Sequence, residues 1–199
     1  MPIKTIASDQ WEQMTCVGCM EYDGKFIIAK PHTKKRSEAK LQQYKHGHTA
    51  NYNYSFKLSG QFNEYPCIVL QFHDWWGSRS KKIYAATSPP ISFSIRSDQI
   101  WLSVNELIST PHWNEERGCL LVDHSHQNDQ VLYPIVLDEW IDLSISVKWS
   151  MENDGFVTCN NFRIDGIKTA FNTNPCDIQM GLYGQSKFSK NIIRELSCW

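Results

Sequence analysis

The chain has 199 residues, of which 41% are hydrophobic and 21% are charged, and its formal net charge is −1. These values fit one globular domain over residues 1–199, long enough to bury a core without metals or disulfides. A charge this close to zero argues against nucleic acid or an acidic membrane as the partner, but it leaves room for a local basic patch.

The N-terminal region shows neither a secretory signal nor a convincing metal site. The stretch MPIKTIASDQWEQMT lacks an apolar segment, so localisation stays open: secreted if a leader has been removed, cytoplasmic otherwise. Cys16 and Cys19, two of the seven cysteines, form half of a zinc-ribbon pattern, and no second half follows. We therefore expect free thiols, no metal and no cofactor.

The segment KKRSEAK, residues 34–40, concentrates charge in an otherwise neutral chain. If it forms a strand, Lys34, Arg36, Glu38 and Lys40 share one face, and such a row of charges cannot all be buried. A solvated strand face is the commoner outcome for a basic run. The alternative is a surface that binds a polyanion, where Arg36 can hold a carboxylate through two hydrogen bonds.

Period-two alternation predicts three strands with one buried face each. Their apolar positions are Tyr52, Tyr54, Phe56 and Leu58, then Ile91, Phe93 and Ile95, then Leu143, Ile145, Val147 and Trp149. Trp140 is also expected in the core. Turn signals such as residues 153–155 separate the strands, and the best helix candidate, residues 104–109, is short. Many short strands and few helices indicate an antiparallel β-sandwich.

Three short stretches in the middle of the chain each have a structural and a functional interpretation. Gln71 and His73, in QFH, share one face of a strand after an apolar run, and an isolated pair of this kind is most simply a hydrogen-bonded pair at a sheet edge. Trp75 and Trp76 follow, one expected in the core and the other available to stack on a sugar ring. The run 123–126, DHSH, lacks further metal ligands and is expected to be an exposed loop.

The segment QMGLYGQ, residues 179–185, has a polar face and an apolar face. The polar face contains Gln179, Gly181, Tyr183 and Gln185. A glycine inside a strand weakens it and often marks the close approach of a ligand or another backbone. One such segment is weak evidence of function.

Together, the three segments resemble the jelly-roll polysaccharide lyases, the group that contains alginate lyases and heparin lyase I. Alginate lyases of this fold carry R-[ST]-E-L-R, then Q-[IV]-H, then Y-F-K-A-G-x-Y-x-Q. This chain has RSEAK at 36–40, QFH at 71–73 and QMGLYGQ at 179–185, in the same order. Residues 139–155 are also similar to a strand and turn of the heparin-lyase-I-like proteins. The resemblance implies an all-β, concanavalin-like β-jelly-roll sandwich of two antiparallel sheets.

The resemblance also implies a reaction, the β-elimination of a uronic-acid-containing anionic polysaccharide such as alginate or a glycosaminoglycan. By it, Arg36 and Gln71 neutralise the substrate carboxylate, His73 is the base and Tyr183 is the acid. In some relatives one tyrosine performs both proton transfers. The residues expected to bind substrate are Lys34, Lys40, Glu38, Gln179, Gln185, Trp75 and Trp76.

Three of the chain's departures from the family pattern bear on the expected chemistry. Gln179 stands where the family has lysine, and Ala39 and Lys40 stand where it has leucine and arginine. These changes fit an altered substrate preference or a fold retained for binding, so a non-catalytic carbohydrate-binding domain remains the alternative. A glycoside hydrolase is a third possibility, and it would need two facing carboxylates. A monomer is expected.

Overall fold

The computed structural model describes residues 12–13, 20–22, 27–30, 36–44, 47–62, 65–74, 76–78, 83–85, 89–107, 112–115, 119–121, 124–171, 176–184 and 188–198. Their regular elements are all strands. Within these ranges, no helix has the length and apolar character needed to cross a bilayer. The strands in chain order are β1 (Glu12–Gln13), β2 (Met20–Tyr22), β3 (Ile27–Ala29), β4 (Arg36–Tyr44), β5 (Thr49–Gly60), β6 (Cys67–His73), β7 (Trp76–Ser78), β8 (Ile83–Ala85), β9 (Ile91–Arg96), β10 (Gln99–Leu107), β11 (His112–Asn114), β12 (Cys119–Leu121), β13 (His124–Pro134), β14 (Ile141–Lys148), β15 (Gly155–Cys159), β16 (Phe162–Ile167), β17 (Cys176–Tyr183) and β18 (Phe188–Cys198).

Two seven-stranded antiparallel sheets form the sandwich. The front sheet has the order β1-β4-β17-β6-β9-β10-β13, and the back sheet has the order β16-β15-β14-β5-β18-β3-β2. One hydrophobic core contains residues from both sheets. The predicted all-β sandwich of two antiparallel sheets is confirmed. A third, smaller sheet, β11-β12-β8-β7, was not predicted, and it contains a parallel pair, β12 with β8.

The core is built from the predicted apolar faces. The alternating apolar residues of β5 and β9 are fully buried, and those of β14 nearly so, as is Trp149 beyond its end. Tyr52, Phe72 and Trp149 form an aromatic cluster between the sheets, with the Phe72 ring centroid 4.9 Å from that of Tyr52 and 5.4 Å from that of Trp149. Aromatic groups in such edge and tilted contacts contribute more than their buried area alone.

Three details differ from the sequence analysis. Ser92 and Ser94 are buried, so β9 is covered on both faces and not on one. The helix candidate at 104–109 is strand over its described part, because β10 continues to pair with β13, and the expected loop at 124–126 is the start of β13. Trp140 is half-buried and lies beside the cations of Lys57 and Arg194, not in the core.

Phe72→Ala should lower the free energy of unfolding by about 3–5 kcal/mol, because it removes a fully buried ring and leaves a cavity between the sheets. Urea denaturation measures the loss. Tyr65→Ala is the control, since Tyr65 is an exposed aromatic residue, and its removal should change stability by no more than about 0.5 kcal/mol. Equal, small effects of both substitutions would contradict the described core.

Candidate active site

The front sheet brings the three motifs onto neighbouring strands. Strand β17, with the third motif, lies between β4, with the first, and β6, with the second. Residues directly opposite each other in an antiparallel ladder share a face. The facing sets are Arg36 with Tyr183, Glu38 with Gly181, Lys40 with Gln179 and Gln71, and His73 with Asp177.

At the centre of this arrangement the amide of Gln71 is held from two sides. Its Nε2 donates to Glu38 Oε1 at 2.6 Å and to Gln179 Oε1 at 3.1 Å. All three side chains have no exposed surface. A buried carboxylate needs such a donor, because leaving either group without a partner would cost about 1–3 kcal/mol or more.

Gly181 explains how Glu38 reaches Gln71. The two residues lie on strands that flank β17, and at usual strand spacing those strands are about 9–10 Å apart. Their side chains therefore meet above the central strand, where Gly181 stands opposite Glu38 and has no side chain. Its φ of 142° is also in a region that favours glycine. Gly181 thus leaves open the space in which the Glu38 and Gln71 side chains meet, and its backbone conformation favours glycine.

His73 lies at an acidic end of the site. It is 6% exposed and pairs directly with the buried Asp177. Asp74 follows it, and one oxygen of its carboxylate accepts a hydrogen bond from the Phe171 backbone N–H at 2.7 Å. Burial raises the pKa of the neighbouring Cys176 thiol well above its usual value, and the negative charges of Asp74 and Asp177 raise it further. Cys176 is therefore a neutral thiol and not a nucleophile.

Tyr183 ends β17 and is 37% exposed, the most accessible of the described candidate residues. The ladder changes register just before it: Met180 pairs with Leu70, whereas Tyr183 pairs with Ile68. Two residues of β17, Gly181 and Leu182, therefore stand against Val69 alone. This bulge leaves Tyr183 on the face of Gln179 and shifts the register, so that Tyr183 lies opposite Ile68 and not opposite Cys67.

Several expected site residues fall outside the described part of the chain or lack a described side chain. Lys34, Trp75 and Gln185 lie outside it. Only the backbone of Arg36, Lys40 and Trp76 is described, in β4 and β7. Cys16 and Cys19 also lie outside.

Two features of the polar face were not predicted from the sequence. Asp177 lies two residues before Gln179, so period-two alternation already places it on the same face. Ser92 is opposite Gln71 and Ser94 is opposite Ile68, which extends the polar face to β9. Their spacing in the sequence indicates a solvent-exposed face, but both serines are buried.

A family model described as "Polysaccharide lyase" matches residues 6–193. The chain belongs to the polysaccharide lyase family. No curated protein matches it. The predicted resemblance of the chain to polysaccharide lyases is confirmed by this match.

Solved structures of polysaccharide lyases share the fold. Endo-β-1,4-glucuronan lyase from the fungus Trichoderma reesei is 13% identical, with a TM-score of 0.61 and coverage of 98% of this chain and 89% of that one. An alginate lyase from Alteromonas sp. 272 is 11% identical, with a TM-score of 0.61 and coverage of 98% of both chains. Alginate lyase A1-II′, of polysaccharide lyase family 7, is 15% identical, with a TM-score of 0.55 and coverage of 92% and 82%. At these identities the similarity establishes the fold, and the jelly-roll expectation is confirmed.

Proposed function

We propose that this polysaccharide lyase cleaves an anionic, uronate-containing glycan by β-elimination at the face formed by β4, β17 and β6. The observation that carries the proposal is the meeting of the three motifs, with Gln71 fixed by Glu38 and Gln179 and with Tyr183 accessible beside them. The names of the structurally similar lyases contain alginate and glucuronan, and both of these polymers consist of uronic acids.

The reaction needs three groups. The C5–H bond breaks and its proton goes to a base, its electrons form the C4=C5 double bond, and the C4–O4 bond breaks as an acid protonates O4. The difficulty lies in removing a proton next to a carboxylate, whose charge must be neutralised to stabilise the developing anion. We assign the role of base to His73 and the role of acid to Tyr183. Arg36 and Gln71 are assigned the neutralisation of the substrate carboxylate.

The hydrogen bonds of Gln71 shape this assignment. Both of its N–H groups are engaged by Glu38 and Gln179, so it can donate to a substrate carboxylate only by giving one of them up. Arg36, whose backbone pairs with that of Tyr183, therefore carries the larger share of neutralisation. Glu38 and Gln179 are buried and hydrogen-bonded to Gln71. We therefore assign them the role of positioning Gln71, in preference to direct contact with the sugar.

The outer part of the substrate groove is assigned to residues near this face. Lys34, Lys40, Gln185, Trp75 and Trp76 remain the proposed contacts for an extended anionic chain, through charge and through stacking on sugar rings. We further propose that the chain forms one domain, acts as a monomer, and has neither nucleic acid nor a membrane as its partner.

His73→Ala should lower the rate by about 10²–10⁴-fold, the usual contribution of a positioned base. The assay follows ultraviolet absorbance of the new C4–C5 double bond, with alginate, glucuronan, heparin, heparan sulfate and chondroitin supplied separately. His48→Ala is the matched control, since His48 is exposed and outside the site. Wild-type activity in His73→Ala on the polymer that the wild type cleaves would remove His73 from the mechanism.

A non-catalytic carbohydrate-binding domain is the second candidate. Two observations favour it: His73 and Gln71 have little or no exposed surface, and Gln179 replaces the family lysine. In that case no polymer of the panel would give absorbance, while calorimetric titration would still show binding to one of them.

A further inference from the structure

A polar side chain of the back sheet reaches through the core to the candidate site. Asn191 on β18 is fully buried among apolar residues. Its Nδ2 donates to the backbone carbonyl of Gly181 at 2.8 Å, and it lies 3.5 Å from the hydroxyl of Tyr54. Asparagine is uncommon in such a position, because a buried amide costs stability unless its hydrogen bonds are made.

The Tyr54 hydroxyl makes the second contact with the front sheet. Tyr54 on β5 is fully buried, and its hydroxyl donates to the backbone carbonyl of Val69 at 3.0 Å. Burial raises the pKa of Tyr54 far above its usual value, so the hydroxyl keeps its proton and can donate. Asn191 and Tyr54 thus form one hydrogen-bonded unit between the sheets, called here the interlayer bridge.

Both carbonyls that receive the interlayer bridge lie at irregularities of the front sheet. Ile68 pairs with Ser94 and Leu70 with Phe93, which leaves Val69 as an extra residue against β9. Gly181 lies in the register change between β17 and β6. A bulged residue loses its ladder partners, so hydrogen bonds from the opposite sheet take their place.

These irregularities directly precede proposed catalytic groups. Val69 is two residues before Gln71, and Gly181 is two residues before Tyr183. Without the extra residue, alternation would place Val69 on the face of Gln71 and His73, whereas its side chain belongs to the core. The register that places Tyr183 relative to Gln71 therefore depends on where the two bulges are held.

We propose that Asn191 and Tyr54 are positioning residues, which fix the bulges at Val69 and Gly181 and through them align Gln71 and Tyr183 for β-elimination. This inference rests on the proposed function. The interlayer bridge touches no substrate and acts only through the two backbone carbonyls. A misplacement of about 1 Å at a reacting group can lower a rate by about 10²-fold. Loss of the 2.8 Å hydrogen bond from Asn191 to the Gly181 carbonyl would free the backbone two residues before Tyr183 to shift, and the rate should fall for that reason.

Tyr54→Phe and Tyr52→Phe form a matched pair for the test. Both hydroxyls are buried on the same strand, two residues apart, but the Tyr52 hydroxyl accepts from Trp149 Nε1 at 3.2 Å, whereas the Tyr54 hydroxyl donates to the bulge at Val69. We expect Tyr54→Phe to lower kcat by about 10-fold or more with KM changed less than about 2-fold. Tyr52→Phe should keep kcat near wild type at a similar loss of stability. Equal kcat values for the two variants would overturn the proposal.

Asn191→Leu tests the other half of the interlayer bridge with a side chain that suits the core. It should lower kcat in the wild-type background but add little to Tyr183→Phe, because residues that act through one group are not additive. A full additive loss in the double variant would show that Asn191 does not act through Tyr183.

Hydrogen exchange separates failure of this inference from failure of the proposed function. In Asn191→Leu, amide exchange should rise at residues 68–70 and 181–183 more than in the rest of β5 and β14. This result does not depend on activity. If the wild type cleaves no polymer, the proposed function fails, while exchange unchanged at the bulges would overturn the interlayer bridge itself.

Discussion

Tyr183→Phe should abolish most of the lyase activity while leaving the fold intact. The substitution removes only the hydroxyl that protonates the leaving oxygen, and loss of a positioned acid lowers a rate by about 10²–10⁴-fold. Because Tyr183 is 37% exposed, stability should change by no more than about 0.5 kcal/mol. Initial rates on the polymer that the wild type cleaves, together with urea denaturation, measure both quantities.

Tyr65→Phe is the control for this experiment. It makes the same chemical change at an exposed tyrosine that has no role in the proposed mechanism, so its rate should equal that of the wild type. If Tyr183→Phe retained more than about a tenth of the wild-type rate, the acid would have to be another group.

Gln71→Glu should make stability strongly dependent on pH. The change places a second carboxyl group at the oxygen of Glu38 that now receives Nε2 at 2.6 Å, and two buried carboxylates at this distance cannot both be ionised. One of the pair then has a pKa raised above its unfolded value. Its contribution to stability is present below the unfolded pKa, about 4.3 for glutamate, and is lost as pH rises toward the folded pKa.

The expected loss for Gln71→Glu is small near pH ~4 and about 3–5 kcal/mol near pH ~8, the cost of an uncompensated buried charge. Urea denaturation across this range measures it. The double variant Glu38→Gln with Gln71→Glu exchanges donor and acceptor. With the Gln179 amide turned so that its Nε2 donates to the new carboxylate, this variant should recover most of the stability. A flat pH response in Gln71→Glu, or no recovery in the double variant, would contradict the described contact.

The fold was predictable where one face of a strand meets the core. In β5 and β14 apolar and polar residues alternate because the inner face packs against the front sheet and the outer face does not. The same rule was wrong for β9, where it predicts one solvent-exposed face. Both faces of β9 are buried, because serine is small enough to be covered although it is polar. The third sheet could not be predicted either, because strands of three residues are too short to show an alternation of apolar and polar side chains.

The site was predictable as far as the order and the faces of its motifs. Gln71 with His73 and Gln179 with Tyr183 follow from alternation, and the neighbouring strands followed from the family resemblance. The bond between Glu38 and Gln71 could not be predicted, because it depends on the register of three strands distant in sequence. Asn191 and Tyr54 were likewise invisible, since nothing near them in the chain indicates a carbonyl of the opposite sheet.

The most direct test of the account is the source of oxygen in the cleaved product. The polymer whose cleavage produces ultraviolet absorbance is digested in water enriched in oxygen-18, and the masses of the products are measured by mass spectrometry. β-Elimination adds no water, and the digests are analysed before the new reducing-end hydroxyl exchanges its oxygen with the solvent. We predict oligosaccharides that lack the heavy isotope and carry one unsaturated end for each bond cleaved. Tyr183→Phe should form them at no more than about a hundredth of the wild-type rate. Saturated products that contain one heavy oxygen for each bond cleaved would show hydrolysis and contradict the assigned chemistry.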